Sequence, residues 1–218
     1  MVRCVDDRSS AGRLHQSRPA VSRLAARAVA LAALVAGCSL IEQPLEPAPY
    51  QPPAPGTLYR YAGFSNRVVS SDGWRTTVAD DSGRVGSRLA LFITEDPGRP
   101  SQADTAQLAA LWPLETGKRV DLAVRSGDQS WQWKFKVVGE QRIAVPAGTF
   151  RTFLVQGVQE PERSANPRRA TRVGYTWWYA PAVAAVVRFE TTYLSGPAKG
   201  RVVQSELIGI DRPGSARN

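Results

Sequence analysis

Between residues 58 and 210 the chain alternates apolar and polar positions in short runs, with glycine, proline and aspartate clustered between them. That period of two is the pattern of antiparallel strands joined by hairpins. The clearest run is 130–140, where Trp131, Trp133, Phe135 and Val137 fall on one face and Gln132, Lys134 and Lys136 on the other. Similar runs cover 58–65, 74–79, 84–93, 118–126, 150–159, 171–179, 184–194 and 201–210. Turn residues separate them, as in Ser71-Asp72-Gly73, Asp81-Ser82-Gly83, Ser126-Gly127-Asp128 and Gly196-Pro197-Ala198. One stretch, 102–112, has helical spacing, with Ala106, Leu108, Ala109 and Leu111 on one face and Pro113 to end it. The pattern predicts an all-β fold: an antiparallel meander of about eight to ten strands forming a curled sheet or partial barrel, with at most one short helix. A single β domain over 58–212 and a disordered tail over 213–218 follow.

Before residue 58 the pattern is different. Residues 40–56 carry prolines too densely for helix or sheet, and predict an extended tether over 38–57 that reaches about 50 Å at about 3.1 Å per residue. A proline-rich ligand for a partner domain is the alternative use of such a segment. Upstream, Arg23 and Arg27 precede the apolar stretch 28–35, and the small residues Ala36 and Gly37 precede Cys38. Basic start, apolar middle and small-residue cleavage site are the parts of a secretory signal. An apolar stretch of about ten residues is half the roughly twenty that a spanning helix needs. The run Leu34-Val35-Ala36-Gly37-Cys38 resembles the lipobox of bacterial lipoproteins. That resemblance implies cleavage before Cys38, acylation of its thiol and new amino terminus, and attachment to the bilayer through palmitate-type chains. Residues 1–37 are then a leader. Residues 1–20, with Asp6, Asp7 and no hydrophobic periodicity, read as a misassigned start, the true one falling near Val21. Ser39 after the cysteine, in the enterobacterial sorting pattern, implies the periplasmic face of the outer membrane.

Cleavage there changes the chemical inventory. It removes six arginines and two acids, so the net charge falls from +9 to about +5. His15, the only histidine, and Cys4 also leave, and Cys38 remains as the one cysteine. The usual transition-metal sites, a Ser-His-Asp triad, a Cys-His dyad and a disulfide framework are therefore excluded from the processed chain. The Ser-x-x-Lys signature fails by one position at Ser130/Lys134 and at Ser195/Lys199. No metal, cofactor or nucleic-acid partner is expected. Paired carboxylates remain chemically able to act as a glycosidase does, but Asp80-Asp81, Glu95-Asp96 and Glu160 with Glu162 sit in polar, turn-like stretches, where acids are ordinarily solvated.

Val145-Pro146-Ala147-Gly148-Thr149-Phe150, then Trp178-Tyr179-Ala180-Pro181 leading to Val187-Arg188-Phe189-Glu190, resemble a pattern shared by several uncharacterised β-rich bacterial envelope families. Leu111-Trp112-Pro113-Leu114 with Gly117-Lys118 is similar to a third element of that set. The resemblance spans about 111–210 and implies an envelope-associated β domain; it carries no catalytic residues. Physically these are folding devices first: Pro146 and Gly148 shape a tight turn, and Pro181 interrupts a ladder for lack of an amide hydrogen.

Two features are candidates for binding. Trp177 and Trp178 are adjacent in a strand and point to opposite faces. Val173, Tyr175 and Tyr179 accompany Trp177, so Trp178 is either covered core or an exposed surface for an acyl chain, a sugar ring or a partner. Arg163, Arg168, Arg169 and Arg172 flank the hairpin-like Ser164-Ala165-Asn166-Pro167 and are either a solvated loop or a contact for envelope phosphates. The reading that results is a membrane-anchored, periplasm-facing lipoprotein acting as a non-enzymatic binding or structural module for an envelope protein or wall polymer. A carrier for a lipid or other apolar ligand, with a dry cavity on the Trp131, Trp133 and Phe135 face, is one alternative. A carboxylate-dependent hydrolase is the other.

Overall fold

A computed structural model describes residues 43–95, 98, 100–162 and 171–214. Their alternation builds one antiparallel sheet of twelve strands. In chain order these are β1 (Leu58–Tyr61), β2 (Phe64–Asp72), β3 (Arg75–Ala79), β4 (Val85–Leu89), β5 (Ile93–Glu95), β6 (Gln102–Ala103), β7 (Arg119–Ser126), β8 (Gln129–Val145), β9 (Gly148–Pro161), β10 (Val173–Ala180), β11 (Ala185–Tyr193) and β12 (Val202–Asp211). The order across the sheet is β5-β4-β3-β2-β1-β12-β11-β10-β9-β8-β7-β6. Two meanders, β1–β5 and β6–β12, are thus joined by one long-range seam, β1 against β12. Arg60 of β1 grips Asp211 of β12 with both terminal nitrogens, Nη2 donating to Oδ1 at 3.0 Å. Gly209 leaves the room, since a Cβ there would sit 2.7 Å from Arg60 Nη2.

Twelve strands exceed the expected eight to ten for identifiable reasons. The run 58–65 folds back at Ala62 and Gly63, the latter at φ +93°. The run 84–93 breaks where no glycine or proline announces it: Ala90 and Leu91 adopt φ +49° and +71°. A left-handed residue costs roughly 1–2 kcal/mol, whereas burying a Leu or Phe side chain returns about 1.5–3 kcal/mol each. The turn buries both Leu91 and Phe92, so burial prevails. The two-residue β6 is the remaining addition, pairing with Arg125 and Val124 of β7.

The helix is shorter than 102–112. It is α1 (Thr105–Leu111), because Gln102 and Ala103 join the sheet and the Asp104 carboxylate caps the Ala106 amide at 2.7 Å. Leu108 and Leu111 face inward. Among the described residues no helix is long and apolar enough to cross a membrane.

Residues 43–56 depart from the expected free spacer. Ala48 exchanges both backbone hydrogen bonds with Leu114 (2.9 and 2.7 Å), and Tyr50 packs on Trp74 and Trp112 at ring distances of 4.6 and 5.3 Å. The Leu45 amide donates to Glu140 at 2.6 Å, and Arg151 donates to the Gln43 carbonyl. Prolines exclude regular structure but not docking, and this stretch is part of the folded domain. The leader 1–37, Cys38 and residues 215–218 of the expected tail fall outside the described residues.

The sheet curls around a core centred on Phe92. Its ring lies 5.1 Å from Trp177, 5.8 Å and nearly parallel to Trp112, and 6.2 Å from both Phe135 and Tyr179. A second core adjoins it, and its Tyr59, Tyr61, Val68 and Ala185 line one gap with Leu91 and Val186 of the first. There the β8–β9 hairpin, bent by a register shift between Val137 and Gly139, brings Ile143 and Val145 onto Val187 and Leu207. The Ala147 amide at its tip donates to the Leu207 carbonyl at 3.1 Å. Val145 pairs with Gly148 across the two-residue turn, the tight turn expected from Pro146 and Gly148.

Phe92→Ala empties the centre of the curl and is expected to cost about 3–5 kcal/mol, read as a lowered urea midpoint; a loss below 1 kcal/mol would show that the turn is not what fills the sheet.

Candidate functional site

The interior face turns from apolar to polar toward the β7–β8 turn. Along β7 the inward positions are Leu122, Val124 and Ser126; along β8, from the same end, they are Gln129, Trp131, Trp133 and Phe135, with register pairs Gln129–Ser126 and Trp131–Val124. On β9 the inward position opposite Trp133 is Gln159. A cleft of about 190 Å³ opens there between these side chains, Tyr175 of β10 and the β5 edge. Among the described residues that line it, none is an acid, lysine or arginine. A neighbouring cleft of about 490 Å³ shares Gln129 and Trp131 and is bordered by Asp128 and Glu162. The half-exposed Trp131 indole is therefore a wall common to both.

The floor is a run of stacked rings. Trp133 lies 5.0 Å from Tyr175 and 5.6 Å from Phe135, and Tyr175 lies 5.1 Å from Trp177 with the planes parallel to within 2°. Gly157, paired with Phe135 on one side and Tyr175 on the other, makes this possible. A Cβ there would meet Trp177 Cζ3 at 2.6 Å and Cη2 at 2.7 Å. The Tyr175 hydroxyl donates to Gln159 Oε1 at 2.9 Å. Burial, reinforced by Tyr193, pushes the Tyr175 pKa up to about 12, so it stays a donor across the physiological range. By accepting through Oε1, the Gln159 amide keeps its Nε2 donors for the cleft.

On the β5 side the wall is held by a buried carboxylate. Glu95 accepts from Arg75 (2.8 and 3.1 Å), from Ser87 Oγ (2.6 Å) and from the Ser101 amide (2.7 Å). Arg75 also donates to the Ser101 carbonyl at 2.7 Å, and Ser101 lines the cleft. Burial raises the Glu95 pKa, but the bonds from Arg75, Ser87 and Ser101 outweigh it and hold the carboxyl below its ordinary value.

Of the other carboxylates named from the sequence, Asp80, Asp81 and Glu160 are also engaged. Glu95 and Asp80 line one further cleft, but Asp80 is occupied by Ser82, through both amide and hydroxyl, and by the Arg84 amide. Led by the Ser82 bond, these contacts lower its pKa. Asp81 accepts from the amide and hydroxyl of Ser65. Glu160 pairs with Lys134 at 3.2 Å and with Arg172 at 3.5 Å. Asp96 lies outside the described residues. Among those described, no group of three or more His, Cys, Asp or Glu is placed to hold a metal.

Of the binding candidates named from the sequence, the two described ones, Trp178 and Arg172, do not line this cleft. Trp178 is on the opposite face, half-buried against the second core. Its Nε1 donates to Gln141 Oε1 at 2.8 Å, and the Arg188 guanidinium sits 5.1 Å over its ring. Arg172 is exposed on the outer side, its amide donating to Ser195 Oγ at 2.9 Å. Arg163, Arg168, Arg169 and Cys38 lie outside the described residues. Gln129 and Gln159 were not foreseen; the available signal was an amide at an inward position of otherwise apolar strands.

Gly157→Ala is expected to destabilise the domain by about 1–3 kcal/mol through overpacking, and Trp177→Phe, which removes the opposing ring atoms, should reduce that cost in a double-mutant cycle. An equal cost in both backgrounds would refute the contact. For Glu95 the folded pKa is lowered, so its contribution is fully present above its ordinary pKa of 4.5 and is lost as the pH falls through the lowered folded value. The stability gap between wild type and Glu95→Gln, from urea unfolding, should therefore narrow between pH 6 and pH 3; a gap that widens on acidification would contradict the pairing.

Residues 95–203, half of the chain, match the profile of a family described as "Protein of unknown function (DUF3108)". Both the 145–150 and the 178–181 motifs fall inside that span. Comparison with curated proteins gave no match. Among solved structures, the hypothetical lipoprotein YmcC from Escherichia coli is similar at 12% identity and a TM-score of 0.45, over 72% of this chain and 84% of that one. A candidate exported protein with a YmcC-like fold from Bacteroides fragilis is similar at 15% identity and 0.42, over 76% and 100%. A candidate lipoprotein from Parabacteroides distasonis is similar at 12% identity and 0.42, over 77% and 100%. Scores at this level do not by themselves establish a common fold.

Proposed function

The chain belongs to the DUF3108 family, whose function is unknown, and we propose that it is an envelope lipoprotein anchored through Cys38 that binds a ligand without transforming it. The observation that carries the binding reading is the Trp131 cleft, an open aromatic-walled site at the mouth of a sheet that is otherwise filled. Such a concavity with a few convergent polar groups is the ordinary form of a small-ligand site.

The carrier alternative loses support from the same packing. Phe92, Trp112, Trp177 and Tyr179 occupy the interior that an acyl chain would need. The hydrolase alternative loses support because Glu95 and Asp80, which line one cleft, are both held ionised and already accept several hydrogen bonds. Neither is poised as a general acid.

The anchor rests on the signal-like order of 23–38. Lipidation at Cys38 would attach the domain through Gln43, beside Arg151 and Glu140. Eleven residues of β8 separate Glu140 from Gln129, roughly 35 Å of extended strand, so the cleft is remote from the point of attachment. Ser39 favours the periplasmic face of the outer membrane.

Intact mass of the protein purified from envelopes of its own bacterium should correspond to a chain beginning at acylated Cys38; an unmodified Cys38 would remove the anchor. For the binding reading, a Trp131→Ala strain should behave like the deletion strain at normal protein abundance. A silent Trp131→Ala would remove the cleft as the functional site.

A further inference from the structure

Resting on the binding reading above, we infer that the Trp131 cleft takes an uncharged glycan, with one sugar ring stacked on the Trp131 indole and its hydroxyls bonded to the amides of Gln129 and Gln159. Charge selects against the other candidate ligands of an envelope. The processed chain keeps a net charge of about +5, yet among the described residues that line the cleft none is charged, and its extension is bordered by Asp128 and Glu162. Against the described lining, a phosphate or carboxylate would give up its hydration for acidic neighbours and no cation. An acyl chain fits no better, because it would strip water from the amides and hydroxyls at the rim without replacing their hydrogen bonds.

A pyranose ring meets both demands. It has an apolar C–H face that suits an indole or phenol and a perimeter of hydroxyls that both donate and accept. Trp131 and Tyr175 offer the ring surfaces. Gln159 offers Nε2 donors in an orientation fixed by the Tyr175 hydroxyl at 2.9 Å, and Gln129 offers both kinds of group from the edge shared by the two clefts. Asp128 and Glu162 in the extension are acceptors for further hydroxyls, and a hydrogen bond to a carboxylate is stronger than one to a neutral acceptor. Because Trp131 walls both clefts, the arrangement suits several linked rings passing over it rather than a single monosaccharide.

The test uses the full lipidated chain in lauryldimethylamine oxide micelles, which carry no sugar headgroup, against an array of uncharged tetrasaccharides: gluco-, galacto- and manno-oligomers and oligomers of N-acetylglucosamine. Saturable binding of at least one is expected, weakened tenfold or more by Trp131→Ala and several-fold by Gln159→Ala. Trp131→Phe should retain part of the affinity, and Trp178→Ala on the opposite face should retain all of it, each variant being checked for an unchanged melting temperature. No binding across the array, or binding indifferent to Trp131→Ala, overturns the inference. So does Trp131-dependent binding of phosphatidylglycerol vesicles or of an uncharged capped peptide in place of the sugars. If the array is negative while Trp131→Ala still behaves like the deletion strain, the glycan is wrong and the binding reading stands. If Trp131→Ala is silent in cells, the binding reading itself has failed.

Discussion

An open sheet that curls must fill its own concavity, and here one phenyl ring does so. Phe92 stands in contact range of rings from β8, β10 and the segment after α1. It arrives there on a turn of two left-handed, non-glycine residues, Ala90 and Leu91. The strain is tolerated because three consecutive side chains, Leu91, Phe92 and Ile93, become buried in return. The two free edges of the sheet, β5 and β6, are not hydrogen-bonded to each other. Packing through this turn, rather than a closed ladder, holds the curl together. The plug stops short of the β7–β8 end, and the cleft is what it leaves open.

The same economy explains why the domain has two cores. A sheet with large apolar residues on both faces needs two covers. The inner face is covered by the Phe92 turn, α1 and the docked segment around Ala48 and Tyr50. On the outer face the distal half of the β8–β9 hairpin, bent over at Gly139, brings Gln141 to Trp178. Trp178 lies under that flap, which reconciles its adjacency to Trp177 with the rarity of large exposed apolar surfaces.

Much of this architecture was legible in the sequence where local chemistry and global packing agree. The inward series Trp133, Phe135 and Val137 and the tight turn at Pro146-Ala147 were set by alternation and turn residues alone. The break at Ala90 was not, because Leu89-Ala90-Leu91-Phe92 is an apolar run with no turn residue, and only its tertiary destination makes the left-handed geometry worthwhile. Docking of 43–56 was hidden for the opposite reason. Proline density forecasts an extended backbone, and the bond pair between Ala48 and Leu114 requires nothing else. The cleft was half visible: Trp131 stood out by its alternation, whereas Gln129 and Gln159 matter only because register sets them beside Tyr175 and Ser126.

Charge distribution gives the arrangement its last constraint. On the outer face Lys134 and Arg172 meet Glu160, and Arg188 meets Glu206 while lying over Trp178. Such exposed pairs contribute only about 0–1 kcal/mol each, so their main consequence is spatial. Arg75, which does reach the wall of the cleft, is fully committed to Glu95 and the Ser101 carbonyl. Breaking that pair would strand a buried carboxylate, so the cation is not available to a ligand. Among the described residues the cleft is thus lined without a charged side chain and its extension is bordered by acids, so the glycan reading draws on ring stacking and on the geometry of two amides.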